Sequence, residues 1–233
     1  KFFLLSFLLS KFNIKGVIAL YNRKDLLGLR DLSADEIMTI LNTAKEMKAK
    51  IDNPSLRDDS LSKSSIVTLF YENSTRTKMS FMLAGDYQGA IVKDLGVATS
   101  SVSKGESLVD TGVTLDQMGI NIMIIRHQMT GAAHLLAKNV KASVVNAGDG
   151  SNEHPTQALL DLFTIMEKKG SFEGLKVVIL GDISHSRVAR SNAFGLTKLG
   201  AKVTLAGPST LVSNSMKSLG VEVETDIPKA IKD

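Results

Sequence analysis

Short apolar runs recur along this chain, each followed by a stretch of helical periodicity. That alternation constrains the fold more than any other feature. Runs at 66–71 (IVTLFY), 120–125 (INIMII), 175–180 (LKVVIL), 202–206 (KVTLA) and 221–224, with a further one around 143–147 (SVVNA), are brief and rich in β-branched residues. They read as buried strands. Helices are predicted between them: from about Arg76, over 107–118, after "RHQMTG", over 155–169, over 187–199 and around 210–219. A helix also precedes the first strand, where Ser33 and Glu36 form a capping box ahead of Ile37, Ile40, Leu41, Ala44 and Met47. Strands joined by helical crossovers pair in parallel and carry helices on both faces. The fold class expected is therefore α/β, with two doubly wound parallel-sheet domains joined by a long helix. The second has only three strands before "IPKAIKD", so it is expected to be incomplete. The boundaries predicted are 1–25 for an apolar extension, 26–169 for the first domain and 170–233 for the second.

Composition narrows the chemistry. The chain has no cysteine, which excludes disulfides and thiolate nucleophiles. Its four histidines have no metal-binding spacing, so neither metal nor cofactor is expected. A net charge of +4 without cationic blocks suits an anionic small molecule better than nucleic acid. The run Phe2–Leu9 is too short to span a membrane, and no small-residue cleavage site follows it. It reads as an extension packed on, or fraying from, the domain.

The polar clusters fall where a parallel sheet collects ligands, after the carboxyl ends of strands. Ser74, Thr75, Arg76, Thr77 and Lys78 follow the first strand, at a helix start whose free N–H groups would cradle a phosphate. Arg126 follows the 120–125 run. Asp149, Gly150 and His154 follow the next, and Asp182 and Arg187 follow the fourth. Pro155 suits the first helical position, placing His154 at the cap with Gln157 on its side of the helix. A neutral imidazole there would donate to a carbonyl oxygen. Three arginines at strand ends predict one anion site.

The blocks "FYENSTRTK", "SSVSKGESL", "NAGDGSNEHPTQALLDLFTI" and "GDISHSRVARSN" resemble, in order and spacing, the signature blocks of aspartate carbamoyltransferase catalytic chains. The resemblance runs from about Leu26 to the end. It implies a cytoplasmic enzyme of pyrimidine biosynthesis that carbamoylates L-aspartate from carbamoyl phosphate. Residues 26–169 would then be the carbamoyl phosphate-binding domain. It implies that Ser74, Thr75, Arg76 and Thr77 hold the phosphate, and that Arg126, His154 and Gln157 contact the carbamoyl group. Arg76, Arg126 and His154 would be catalytic, and Lys104 and Arg187 would bind aspartate. Ser100 and Lys104 would reach a neighbouring subunit's site in a homotrimer, with a regulatory chain as a possible partner. Lys78, Met82 and Gln128 stand where the family commonly has Arg, Glu and Pro. The family's later Arg-x-Gln and His-Pro-x-Pro segments do not occur in this sequence, so a shortened chain is expected that binds aspartate poorly. Two alternatives stay open: ornithine carbamoyltransferase, disfavoured by Lys104 and Arg187, and a non-catalytic carbamoyltransferase-like subunit. A nucleotide module is remote, because neither a P-loop nor GxGxxG occurs.

Overall fold

The computed structural model describes residues 23–57, 59–96 and 105–232. Its elements are α1 (Ala34–Asp52), β1 (Ser65–Phe70), α2 (Thr75–Asp86), β2 (Ile91–Leu95), α3 (Leu108–Gln117), β3 (Ile122–His127), α4 (Ala132–Asn139) and β4 (Ser143–Asp149). They continue with α5 (Pro155–Lys169), β5 (Lys176–Leu180), α6 (Arg187–Lys198), β6 (Lys202–Ala206), β7 (Glu222–Glu224) and α7 (Ile227–Ala230). The strands form two parallel sheets, ordered β2-β1-β3-β4 and β5-β6-β7, and α5 leads from one to the other.

β1 is central and buried along nearly its whole length, which explains its unbroken apolar sequence. Ile66 and Phe70 point into one core with α1, α2 and α5, while Val67 and Leu69 point into another with α4. The first sheet is thus covered on both faces. Leu26 extends it beyond β4: its N–H donates to Val144 O, and Asn146 N–H donates back to Leu26 O, each at 2.9 Å. Through Leu29, Leu162, Phe163, Ala193, Leu196 and Leu205 the larger core runs on beneath the second sheet. Among the described residues that sheet is well covered on one face only. On the other, Val178 and Leu180 are 37% and 53% exposed, as expected of an incomplete unit.

One local expectation is corrected. The helix expected around 210–219 is reduced to a 3-10 segment, Asn214–Leu219. Ser213 is its N-cap and takes the Ser215 N–H on its hydroxyl at 3.2 Å. The loop after Asn53 opens with a 3-10 turn, Pro54–Leu56.

The capping box of α1 forms as expected: Ser33 Oγ accepts Glu36 N–H at 3.1 Å and Glu36 accepts Ser33 N–H at 2.7 Å. Arg23 anchors the same carboxylate at 2.6 Å. Ser33→Ala should cost about 1 kcal/mol of stability, measured by urea denaturation; a change within error would mean that Arg23 alone holds the helix start.

Candidate active site

The starts of α2, α4 and α5 gather at the carboxyl edge of the first sheet, because each follows a strand of that sheet directly. All three lack the side-chain cap found at helix starts elsewhere. α1, α3 and α6 are each capped by a serine that accepts a first-turn N–H, namely Ser33, Ser107 and Ser186. α2 and α5 begin at Ser74 and His154, neither of which makes a side-chain cap bond, and neither helix has an acid in its first turn. Neither start has an N-cap side chain bonded to its first N–H groups or a first-turn acid to offset its partial positive charge.

At α2, Thr77 is buried, whereas Thr75 and Arg76 are exposed. The Arg76 side chain makes no hydrogen bond or ion pair to a described residue. Lys78 is different: its ammonium donates to Asp94 Oδ2 at 2.9 Å, and Thr68 Oγ1 holds the other carboxylate oxygen at 2.6 Å. It braces α2 against β2.

Arg126 lies at the end of β3, in register with Phe70 of β1. Its Nε donates to Glu72 Oε2 at 3.1 Å. Arg187, from the first turn of α6, reaches the same carboxylate through Nη2 at 2.7 Å and Nη1 at 3.2 Å, and also donates to Gly150 O at 3.2 Å. One carboxylate thus joins two arginines that come from opposite units of the fold. The Arg187 bonds hold the Glu72 pKa below the usual carboxylate range, against the opposing effect of burial. Burial lowers the Arg126 pKa and nearby Arg187 adds to this, while Glu72 opposes both. Glu72 went unread in the sequence, although it stands inside "YENSTRTK".

Gly148 makes the reach of Arg187 possible. Its φ is +117°, and a Cβ there would lie 3.0 Å from the guanidinium carbon. Gly148→Ala should therefore cost about 1–2 kcal/mol through backbone strain and crowding. The crowding part should vanish in an Arg187→Ala background, so a double-mutant cycle by urea denaturation reads it directly. Strict additivity would show that the two residues do not press on one another.

His154 is buried, with its N–H on Ser191 Oγ at 2.9 Å and its Nδ1 3.4 Å from Thr156 Oγ1. Gln157 donates its amide to Asp161 Oδ1 at 2.8 Å, and Asp161 Oδ2 takes the Asn192 amide at 2.7 Å. Asp149 is scaffold: its buried carboxylate accepts from the N–H groups of Gly131 and Glu153 and the amides of Asn146 and Asn152. Asp182 pairs with His185 at the surface, 2.8 Å from its Nδ1. His127, also unread, packs its ring on Tyr71 at 4.5 Å and takes the Met129 N–H on Nδ1 at 2.8 Å; burial lowers its pKa. Ser100 and Lys104 lie outside the described residues. The structure thus joins Arg126 to Arg187 through Glu72 and puts Ser74–Thr77 and His154 at helix starts on the same sheet edge. It gives no direct contact between Arg76 and the other arginines.

Uncapped helix starts on the carboxyl edge of a parallel sheet, beside an arginine pair that Glu72 joins across the two sheets, are an α/β arrangement suited to an anion. Comparison with known proteins makes the class particular. Residues 24–167 match the family model described as the aspartate/ornithine carbamoyltransferase, carbamoyl-P binding domain. The aspartate carbamoyltransferase catalytic subunit of Acetivibrio thermocellus is 61% identical over 210 residues, covering 90% of this chain and 67% of its own length. That of Ruminiclostridium cellulolyticum is 60% identical over the same shares. The crystal structure of aspartate transcarbamoylase from Trypanosoma cruzi with carbamoyl phosphate superposes with a TM-score of 0.78 at 30% identity, covering 86% of this chain and 65% of that one. The chain belongs to the aspartate/ornithine carbamoyltransferase family. Within it, its sequence groups with the aspartate carbamoyltransferase catalytic subunits, and it spans about two thirds of their length.

Proposed function

We propose that the complete protein transfers the carbamoyl group of carbamoyl phosphate to the amine of L-aspartate, giving N-carbamoyl-L-aspartate and phosphate. The observation that carries this reading is the start of α2, where two threonines and Arg76, which pairs with no described residue, stand at N–H groups without a side-chain cap. Such a start suits a dianionic phosphate. Ser74, Thr75, Arg76 and Thr77 are assigned to it.

The carbamoyl carbon would then face Arg126, His154 and Gln157. Gln157 spends its N–H₂ on Asp161, which leaves its carbonyl to accept the carbamoyl N–H₂. In the tautomer whose Nδ1 accepts from Thr156, His154 carries its proton on Nε2 and can donate to the carbamoyl oxygen. The aspartate amine attacks that carbon, the bond to the phosphate oxygen breaks, and the amine's proton leaves with phosphate. Fixed positive charge at Arg76 and Arg126 stabilises the oxyanion and the departing phosphate without reorganising. Arg187 and Lys104 are assigned to the aspartate carboxylates. Ser100 and Lys104 are assigned to a neighbouring subunit's site in a homotrimer, with a regulatory chain as a further partner. The boundary between a carbamoyl phosphate-binding and an aspartate-binding domain is placed near residue 170. The reading includes a cytoplasmic setting; no described helix is long and apolar enough to cross a membrane.

The test supplies carbamoyl phosphate with either aspartate or ornithine, to this chain and to this chain extended to its relatives' full length. Product from aspartate alone, greater in the extended protein, is expected. Product from ornithine would reassign the substrate. Binding of carbamoyl phosphate with no product from either amine, even when extended, would indicate a non-catalytic subunit.

A further inference from the structure

The segment Gly28–Leu32 is gripped by two charged side chains of opposite sign. Glu153, only 3% exposed, accepts Leu29 N–H at 2.7 Å on Oε2 and Arg30 N–H at 3.3 Å on Oε1. Gly28 leaves it that room, since a Cβ there would lie 2.2 Å from Oε1. Lys198 donates to the carbonyls of the same segment: Leu29 at 2.8 Å, Leu32 at 2.6 Å, and Arg30. The segment's N–H groups are thus held by an anion and its C=O groups by a cation.

The grip continues toward the site. Ser191 Oγ donates to Glu153 Oε2 at 3.0 Å and accepts the His154 N–H at 2.9 Å. Ser191 and Lys198 lie two turns apart on α6, so one helix face carries both connections. A carboxylate taken out of water is costly unless several donors meet it. Here three donors meet it, and burial still pushes its pKa up, with Arg30 and Lys198 the nearby cations. That costly group sits next to the one histidine assigned to the carbamoyl carbonyl.

We propose that Glu153 is a positioning residue: its carboxylate, fixed by the Gly28–Leu32 segment, holds Ser191 so that the serine hydroxyl sets the backbone, and hence the ring, of His154. This rests on the reading of His154 as a carbamoyl-binding group. A misaimed ring loses its bond to the carbamoyl oxygen but leaves the phosphate cradle on α2 intact. The two ligands therefore separate a positioning role from a general loss of structure.

The experiment compares the unchanged chain with E153A and E153Q. The His154 ring resonances are followed by NMR in the free protein, and carbamoyl phosphate and inorganic phosphate are titrated by calorimetry. E153A should shift the His154 resonances and weaken carbamoyl phosphate about tenfold, with phosphate changed by less than about twofold. E153Q, whose amide oxygen still accepts from Ser191, should recover to within about threefold. Unmoved His154 resonances in E153A would overturn the proposal, and so would equal losses of both ligands. If E153A does not fold, S191A breaks the same chain at the hydroxyl and carries the same expectations. If the unchanged chain binds neither ligand, the functional reading fails, and the free-protein resonances alone still decide whether Glu153 aims His154.

Discussion

Arg76→Ala should weaken carbamoyl phosphate binding by about a hundredfold, and Lys78→Ala by less than about threefold. Both residues lie in the first turn of α2, both are cationic, and a motif reading alone would rank them alike. Their surroundings differ. Lys78 is committed to Asp94, which Thr68 holds from the other side. Moving that ammonium to a ligand would leave Asp94 short of its partner. Arg76 is exposed and spends nothing on the described chain. A guanidinium can fork two charge-assisted bonds to a phosphate, each worth about 1.5–3 kcal/mol when water is excluded. Free N–H groups beside it add to the same anion. Losing the fork therefore removes close to 3 kcal/mol, which is the hundredfold stated. Lys78→Ala should act indirectly, by loosening α2 against β2, and should show mainly as a small loss of stability. Calorimetric titration of the two variants decides the matter. Equal losses of affinity would mean that the phosphate sits on the Lys78 side of the helix start.

Much of this arrangement was legible in the sequence because local chemistry and global topology agree there. β1 lacks alternation because both its faces are buried, and the helix after it starts where hydroxyls and charge replace apolar residues. His154 falls at the cap of α5 because Pro155 can only open a helix. The rule that ligands gather at strand ends puts Arg126 after β3 and Arg187 after β5, one in each sheet, and Glu72 joins them. What escaped was partnership across long separations. Glu72 and Arg187 are 115 residues apart, and nothing local tells a linking carboxylate from a solvated one. Glu153 was not singled out, because its bonds to Leu29 and Ser191 depend on how distant segments pack. Asp149 looked like a site residue because it stands in a glycine-rich turn, yet its oxygens are fully used in shaping that turn. At 214–219 the helical pattern in the sequence yields only a short 3-10 segment, capped by Ser213.

The joint between the two units of the fold should be sensitive to acid, and Glu72 should be the cause. Glu72 links Arg126 of the first sheet to Arg187 of α6, with the three side chains only 15–25% exposed. Glu72→Gln leaves two guanidinium groups facing each other without a counter-charge. A loss of about 2 kcal/mol is expected at neutral pH, below the cost of breaking a fully buried pair because water still reaches these groups. The sign of the pH dependence follows from the depressed Glu72 pKa. An acid whose pKa is lower folded than unfolded contributes stability above its unfolded value, near 4.3, and loses it as pH falls through the folded value. Guanidinium groups in general do not titrate at acid pH, so the loss belongs to the carboxylate. The stability gap between the unchanged chain and Glu72→Gln should therefore be full above about pH 5 and close as the medium becomes more acidic. Salt should narrow it only slightly, because partly buried pairs are poorly screened. Urea denaturation across this range measures the gap. A gap that persists undiminished at low pH would mean that Glu72 acts by packing, and that the two arginines are held together by something other than its charge.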